Sequence, residues 1–205
     1  MITRLCALII AALSLAALGA QYNVLPYADG AMTVAQRLWT LAGYFTVLTN
    51  ALIAGHMLAI AIGWQISPSR AAGLVVSICL VGIVYHFVLA QLWNPVGLAW
   101  WANQGLHTAV PAATLAWWLA FAPKRVTLHN LPTWLIWPLI YCVYALTRGG
   151  LTGFWAYPFL DVDQLGGRQV AANIAGLIVA FAMMGLGILG LATVLRRVSQ
   201  PDKPS

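Results

Sequence analysis

"GYFTVLTNALIAGH", residues 43–56, is the stretch on which the fold turns. Its apolar run continues to Trp64 without a charged residue, long enough to cross a bilayer at about 20 predominantly apolar residues per span. Yet Thr46, Thr49 and Asn50 place three hydrogen-bonding side chains within five positions, where lipid would favour leucine. They act either as cement between helices or as chemistry. The rest of the chain has to decide.

Composition sets the class. The chain is 62% hydrophobic and 7% charged, with no glutamate and only Asp29, Asp161, Asp163 and Asp202 as acids, well outside the range of soluble domains. The sequence predicts an all-α membrane protein, a single domain of six transmembrane helices over about 3–20, 37–64, 71–93, 99–122, 131–148 and 168–195. Turn-forming segments "PYADG", "SPSR", "WNP", "APKR" and "RGG" fall between them. A net charge of +6 comes without the clustered basic patch that nucleic acid requires, so no nucleic-acid partner is expected. Cys6, Cys79 and Cys142 lie far apart in apolar runs and have no metal-ligand spacing. The first twenty residues have the basic start and apolar middle of a signal peptide, with Ala17-Leu18-Gly19 as a cleavage site. The apolar stretch is long for a signal, and retention as a helix is the expectation.

Charge then gives orientation. With the N-terminus inside, Arg4, Arg70, Lys124, Arg125, Arg196, Arg197 and Lys203 face the cytoplasm, and Arg37, Arg148 and Arg168 face outward. That split is seven against three and accounts for all ten basic residues. Both termini are therefore expected in the cytoplasm.

The same topology brings polar side chains to the outer half. The second span enters from outside near Gln36, so Thr46 lies about 15 Å deep at ~1.5 Å per residue. His107 lies about 10 Å along the fourth span on the same rise. Tyr85 and His86 end the third span, Thr147 and Arg148 the fifth, and the loop carrying Tyr157 and Asp161 follows. Thr46 and Asn50 share one helical face, as do Asn103, His107, Pro111 and Thr114. Ionisable groups at membrane depth face a bundle interior or a wet cavity. A threonine hydroxyl and an imidazole at similar depth can serve as nucleophile and general base. Structural readings stand beside this: a membrane threonine bonds back along its helix or joins two helices, a buried histidine packs, and "YPF" anchors at the interface.

The segments "YFTVLTN", "WNPVGLAWWANQGLHTAVP" and "RGGLTGFWAYPFLD", in this order and spacing along the chain, resemble a family of bacterial six-helix membrane proteins. That family is related to the eukaryotic androgen-induced and androgen-dependent tissue-factor-pathway-regulating membrane proteins, which are threonine hydrolases of fatty acid esters of hydroxy fatty acids. The resemblance implies that Thr46 is the nucleophile and His107 the base, with Asn103, Gly105 and Thr108 in step around it and Tyr157-Pro158 matching the tyrosine and proline of the family's "W-x-YPFL". The relatives carry an acidic residue one turn beyond the threonine; here Thr49 and Asn50 occupy that stretch. The expected activity is cofactor-free hydrolysis of a lipid ester drawn from the bilayer, in a bacterial cytoplasmic membrane, with the site open to the outer leaflet. Asn50, Asn103, His86 and Tyr157 are candidate oxyanion or substrate-binding groups, Asp161 a candidate partner of His107, and Thr49 a packing residue. Two other classes fit the same polar residues. His56, His86, His107 and His129 sort into an outer and an inner pair, as bis-histidine haem ligation needs. A lipid-binding or transport protein without catalysis would use the same pocket.

Overall fold

The computed structural model describes residues 1–25 and 32–199. "PYADG" with Asp29, and the tail with Asp202 and Lys203, lie outside the described residues. The described residues are 84% helical and include no strand. Its helices are α1 (Ile2–Val24), α2 (Val34–Leu41), α3 (Phe45–Ala61), α4 (Pro68–Val84), α5 (Leu98–Gln104), α6 (Val110–Phe121), α7 (Leu131–Thr152) and α8 (Val162–Ser199). A π turn over Tyr85–Leu89 and a 3₁₀ turn over Ala90–Leu92 prolong α4, and a second π turn over Gly105–Ala109 joins α5 to α6.

Three segments, Ile2–Val24, Pro68–Leu92 and Val162–Val198, are long and apolar enough to cross a membrane. The pair α2 and α3 makes a fourth if it counts as one bent span. The outer surface agrees with a lipid solvent: Ile9, Ile140, Val143, Val179 and Met183 are exposed large hydrophobics on three different helices, far more apolar surface than water tolerates.

The unbroken second span is a correction. The axes of α2 and α3 differ by 97°, so the depth of Thr46 cannot be counted from Gln36. α2 is started by a capping box, in which the Thr33 hydroxyl accepts from the Gln36 amide and the Gln36 side chain accepts from the Thr33 amide. It ends where Gly43 meets α7. The Gly43 carbonyl accepts from the Tyr141 hydroxyl at 2.8 Å. A Cβ at Gly43 would stand 2.5 Å from the Phe154 ring and 2.8 Å from the Arg148 guanidinium. Tyr44 is extended (φ −99°, ψ 128°), and a new helix begins at Phe45. Arg148 is buried here, with its guanidinium carbon 4.2 Å from the Trp39 ring centre and 4.5 Å from that of Phe154, and it donates to the Tyr144 hydroxyl at 3.0 Å. Cation–π contacts meet a charge that has no carboxylate beside it among the described residues, while its buried Nε has no hydrogen-bond partner there.

α1 packs on α3, α5 and α6, and α4 packs on α3, α6, α7 and α8. The buried face of α1 is a row of small side chains, Ala7, Ala11, Ser14 and Ala17, which lets backbones approach as close packing between membrane helices requires. Ser14 donates to the Asn50 carbonyl at 2.9 Å, tying α1 to α3. At the far end of α6, Lys124 donates to the carbonyls of Trp118, Leu119 and Ala122 and so closes the helix terminus. The described part of α8 bends at Gly166 (φ 75°, ψ 154°), a conformation that only glycine adopts without strain.

Candidate functional site

Thr46 is the second residue of α3, so its amide is one of the helix-start donors that no intrahelical carbonyl reaches. The Tyr157 hydroxyl oxygen accepts from that amide at 3.3 Å and lies 3.4 Å from Thr46 Oγ1. Both residues line an apolar cavity of about 60 Å³, walled by Leu80, Val84, Tyr141 and Phe181 among others. By the ~10–15 Å³ that one water occupies, it has room for a few waters. The positive end of the α3 dipole faces the Thr46 hydroxyl, a location that favours negative charge. Tyr157 is held in turn by the rings of Phe159, stacked at 5.1 Å, and Tyr44, edge-on at 6.0 Å.

Asn50 lies one turn deeper and is fully buried. Its Nδ2 donates to the Thr46 carbonyl at 2.9 Å and to the Leu106 carbonyl at 3.2 Å. One amide group thus links the backbone of the threonine to the residue preceding His107. Both of its bonds run to carbonyls, and the buried Oδ1 has no hydrogen-bond partner among the described residues.

His107 sits in the π turn between α5 and α6. Its Nδ1 lies 3.1 Å from the Asn103 carbonyl. A carbonyl only accepts, so Nδ1 carries the proton and Nε2 of the neutral ring holds the lone pair a general base needs. The ring stacks on Tyr85 at 4.1 Å and 24°, while the Tyr85 hydroxyl accepts from Asn103 Nδ2. Two close approaches seat this turn: a Cβ at Gly82 would stand 2.8 Å from the His107 carbonyl oxygen, and one at Gly105 would stand 2.6 Å from Ala17 Cβ.

Thr46, Tyr157 and Asn50 therefore come together, with His107 adjoining through the Leu106 backbone. Thr46 and His107 share no hydrogen bond among the described residues, and His107 is not in the wall of the Thr46 cavity. His86 is exposed and bonds Thr108 Oγ1 at 3.0 Å; the Tyr85 ring touches both it and His107, the expected outer pair. Asp161 is buried and accepts from the Gln164 amide at 3.0 Å, capping the start of α8. His129 is exposed in a 3₁₀ turn before α7, and His56 bonds the Leu52 carbonyl. Tyr141 was not among the expected site residues, although it forms one wall and holds the α2–α3 break.

Thr49 joins helices. It is fully buried and accepts from Trp137 Nε1 at 3.0 Å. Thr49→Ala should leave any hydrolytic activity nearly unchanged, but it strands a half-buried indole N–H, at a cost of about 1–3 kcal/mol. Thermal unfolding in detergent should show the loss. An unchanged midpoint would mean that the bond contributes nothing.

No protein-family model, curated protein or solved structure matches the chain.

Proposed function

We propose that this chain is a cofactor-free hydrolase of lipid esters, acting within the membrane through Thr46 and His107. The observation that carries the reading is the Thr46 hydroxyl, placed at a helix start, beside a phenol, in the wall of an apolar cavity. In this reading α1, the bent α2–α3 pair, α4, α5–α6, α7 and α8 form six spans of a bacterial cytoplasmic membrane. Both termini are cytoplasmic, and Thr46 opens toward the outer leaflet.

The reaction divides into two steps. His107 Nε2 takes the Thr46 proton, through one water, as Oγ1 attacks the ester carbonyl. The tetrahedral oxyanion is met by the amides at the start of α3 and by the Tyr157 hydroxyl. The alcohol departs with the proton from His107, leaving an acyl-threonine. Water activated by the same imidazole then releases the fatty acid. The cavity receives the part of the acyl chain next to the ester, and the remainder stays in lipid. Fatty acid esters of hydroxy fatty acids, or related lipid esters, are the substrate class.

The direct test is labelling with a fluorophosphonate probe. Wild type should be labelled and Thr46→Ala should not; equal labelling of the two removes Thr46 as nucleophile. An unlabelled wild type would favour lipid binding without catalysis. Topology is tested separately. A reporter fused after Lys203 should be cytoplasmic and one inserted near Asp163 exported, as the seven-to-three charge split requires. Finding both on one side would overturn the six-span arrangement.

A further inference from the structure

We propose that a second cavity, at the opposite half of α4 from Thr46, binds an anionic head group: a carboxylate or phosphate, free or carried on an apolar tail. This cavity is about 460 Å³ and lies where the start of α4 and the start of α7 meet the second half of α3. Ser67, Arg70 and Thr133 are exposed at its mouth, His56 is half-buried, and Ser77 and Trp134 are buried in its floor. Its wall includes no acidic residue.

Two observations point to a ligand. Arg70 has no side-chain partner among the described residues, so its guanidinium, a planar fork of donors matched to carboxylate and phosphate, is available. Ser77 is only 4% exposed, lines the cavity, and makes no side-chain hydrogen bond among the described residues. Its hydroxyl is not sealed in by protein, so it is open to a partner that enters the cavity. A cation at the mouth and hydroxyls along the wall, with nothing anionic between, select an anion, and charge-assisted bonds are the strong ones available to hold it. Leu52, Leu74 and Trp137 continue the wall with apolar surface, which suits a tail behind the head group. The two cavities have no lining residue in common. The Trp137–Thr49 hydrogen bond closes the seam between α3 and α7 from which both open. Occupancy here is therefore independent of chemistry at Thr46.

The experiment is calorimetric titration of the purified protein in phosphatidylcholine nanodiscs with dodecyl phosphate, laurate, inorganic phosphate and, as the neutral control, dodecanol. Arg70→Gln, Ser77→Leu and Thr46→Ala are titrated alongside, with unfolding midpoints to show that each is folded. The anionic amphiphiles should bind and dodecanol should not. Arg70→Gln should weaken binding about tenfold or more, Ser77→Leu should block it by filling the floor, and Thr46→Ala should leave it unchanged. Equal affinity for inorganic phosphate would identify a free anion as the ligand; binding of the amphiphiles alone would identify a lipid head group. Absence of binding by every anion overturns the site, as does binding that Arg70→Gln leaves intact. If binding persists while fluorophosphonate labelling fails, the hydrolase reading falls and this site stands.

Discussion

Thr46→Ala should abolish ester hydrolysis, and His107→Ala should lower it by a factor on the order of 10²–10⁴, the usual contribution of a positioned general base. The first removes the nucleophile and the second the group that takes its proton. Neither should unfold the protein. Thr46 gives up one long contact to Tyr157, and His107 is half-buried with its ring against Tyr85. Thr46→Ser keeps the hydroxyl but loses the β-branch that restrains its rotamer, so part of the activity should remain. Tyr157→Phe should cost about 10²-fold, if the phenol is one of the donors to the oxyanion. Because only the neutral imidazole accepts a proton, the rate of the wild type should fall as pH drops through the His107 pKa. The measurement is hydrolysis of a chromogenic fatty ester by purified variants with matched unfolding midpoints. Loss of activity in Thr49→Ala with retention in Thr46→Ala would assign the chemistry to the other threonine.

The second large effect concerns the seat of the His107 turn. Gly82→Leu and Gly105→Leu should each lower the unfolding midpoint by several degrees, up to about 10 °C, from the ~1–3 kcal/mol that overpacking costs. At Gly105 the obstacle is Ala17 Cβ, and at Gly82 it is the backbone oxygen of His107 itself. Neither is the end of a flexible side chain, so neither can move aside cheaply. Gly82→Leu should also depress hydrolysis beyond its effect on stability, because the strain falls on the residue that carries the imidazole. Gly19→Leu and Gly55→Leu are the controls. Nothing lies within 4 Å of a Cβ at either position, and both should be close to neutral. Equal losses at all four glycines would show that close approach does not decide, because leucine has the higher helix propensity at every one of them.

Legibility in the sequence followed the range of the interaction. The positions of the long apolar helices were readable because each answers to its own run of residues: α1, α4 and α7 begin within about three residues of their expected starts, the tolerance of helix boundaries. The bend before Phe45 was not read, although "TVAQ" at 33–36 carries a capping box, because apolar character on both sides of Gly43 averages across the break. Thr49 was correctly expected between helices, but its partner Trp137 is 88 positions away and no local pattern names it. Tyr157 reaches Thr46 across 111 positions, and it was found only through the family resemblance. Asp161 is a candidate partner of His107 in a loop whose path the sequence does not give, and the structure shows its Oδ1 accepting from the Gln164 amide as a helix cap. The common face of Asn103, His107, Pro111 and Thr114 was counted at α-helical pitch across a turn that departs from it.

That departure has a counterpart next door. The Val110 amide bonds the Gly105 carbonyl and the Ala90 amide bonds the Tyr85 carbonyl, each five residues back instead of four. A π turn is the geometric equivalent of one residue inserted into an α-helix. Here two such insertions lie side by side, in contact through Tyr85 and His107. Deleting one residue from either turn would return its five-back hydrogen bond to the four-back pattern and remove the wide turn that carries Tyr85 or His107. The surplus residues at 85–89 and 105–109 thus share one contact, and shortening either turn would disturb the stacking of Tyr85 on His107.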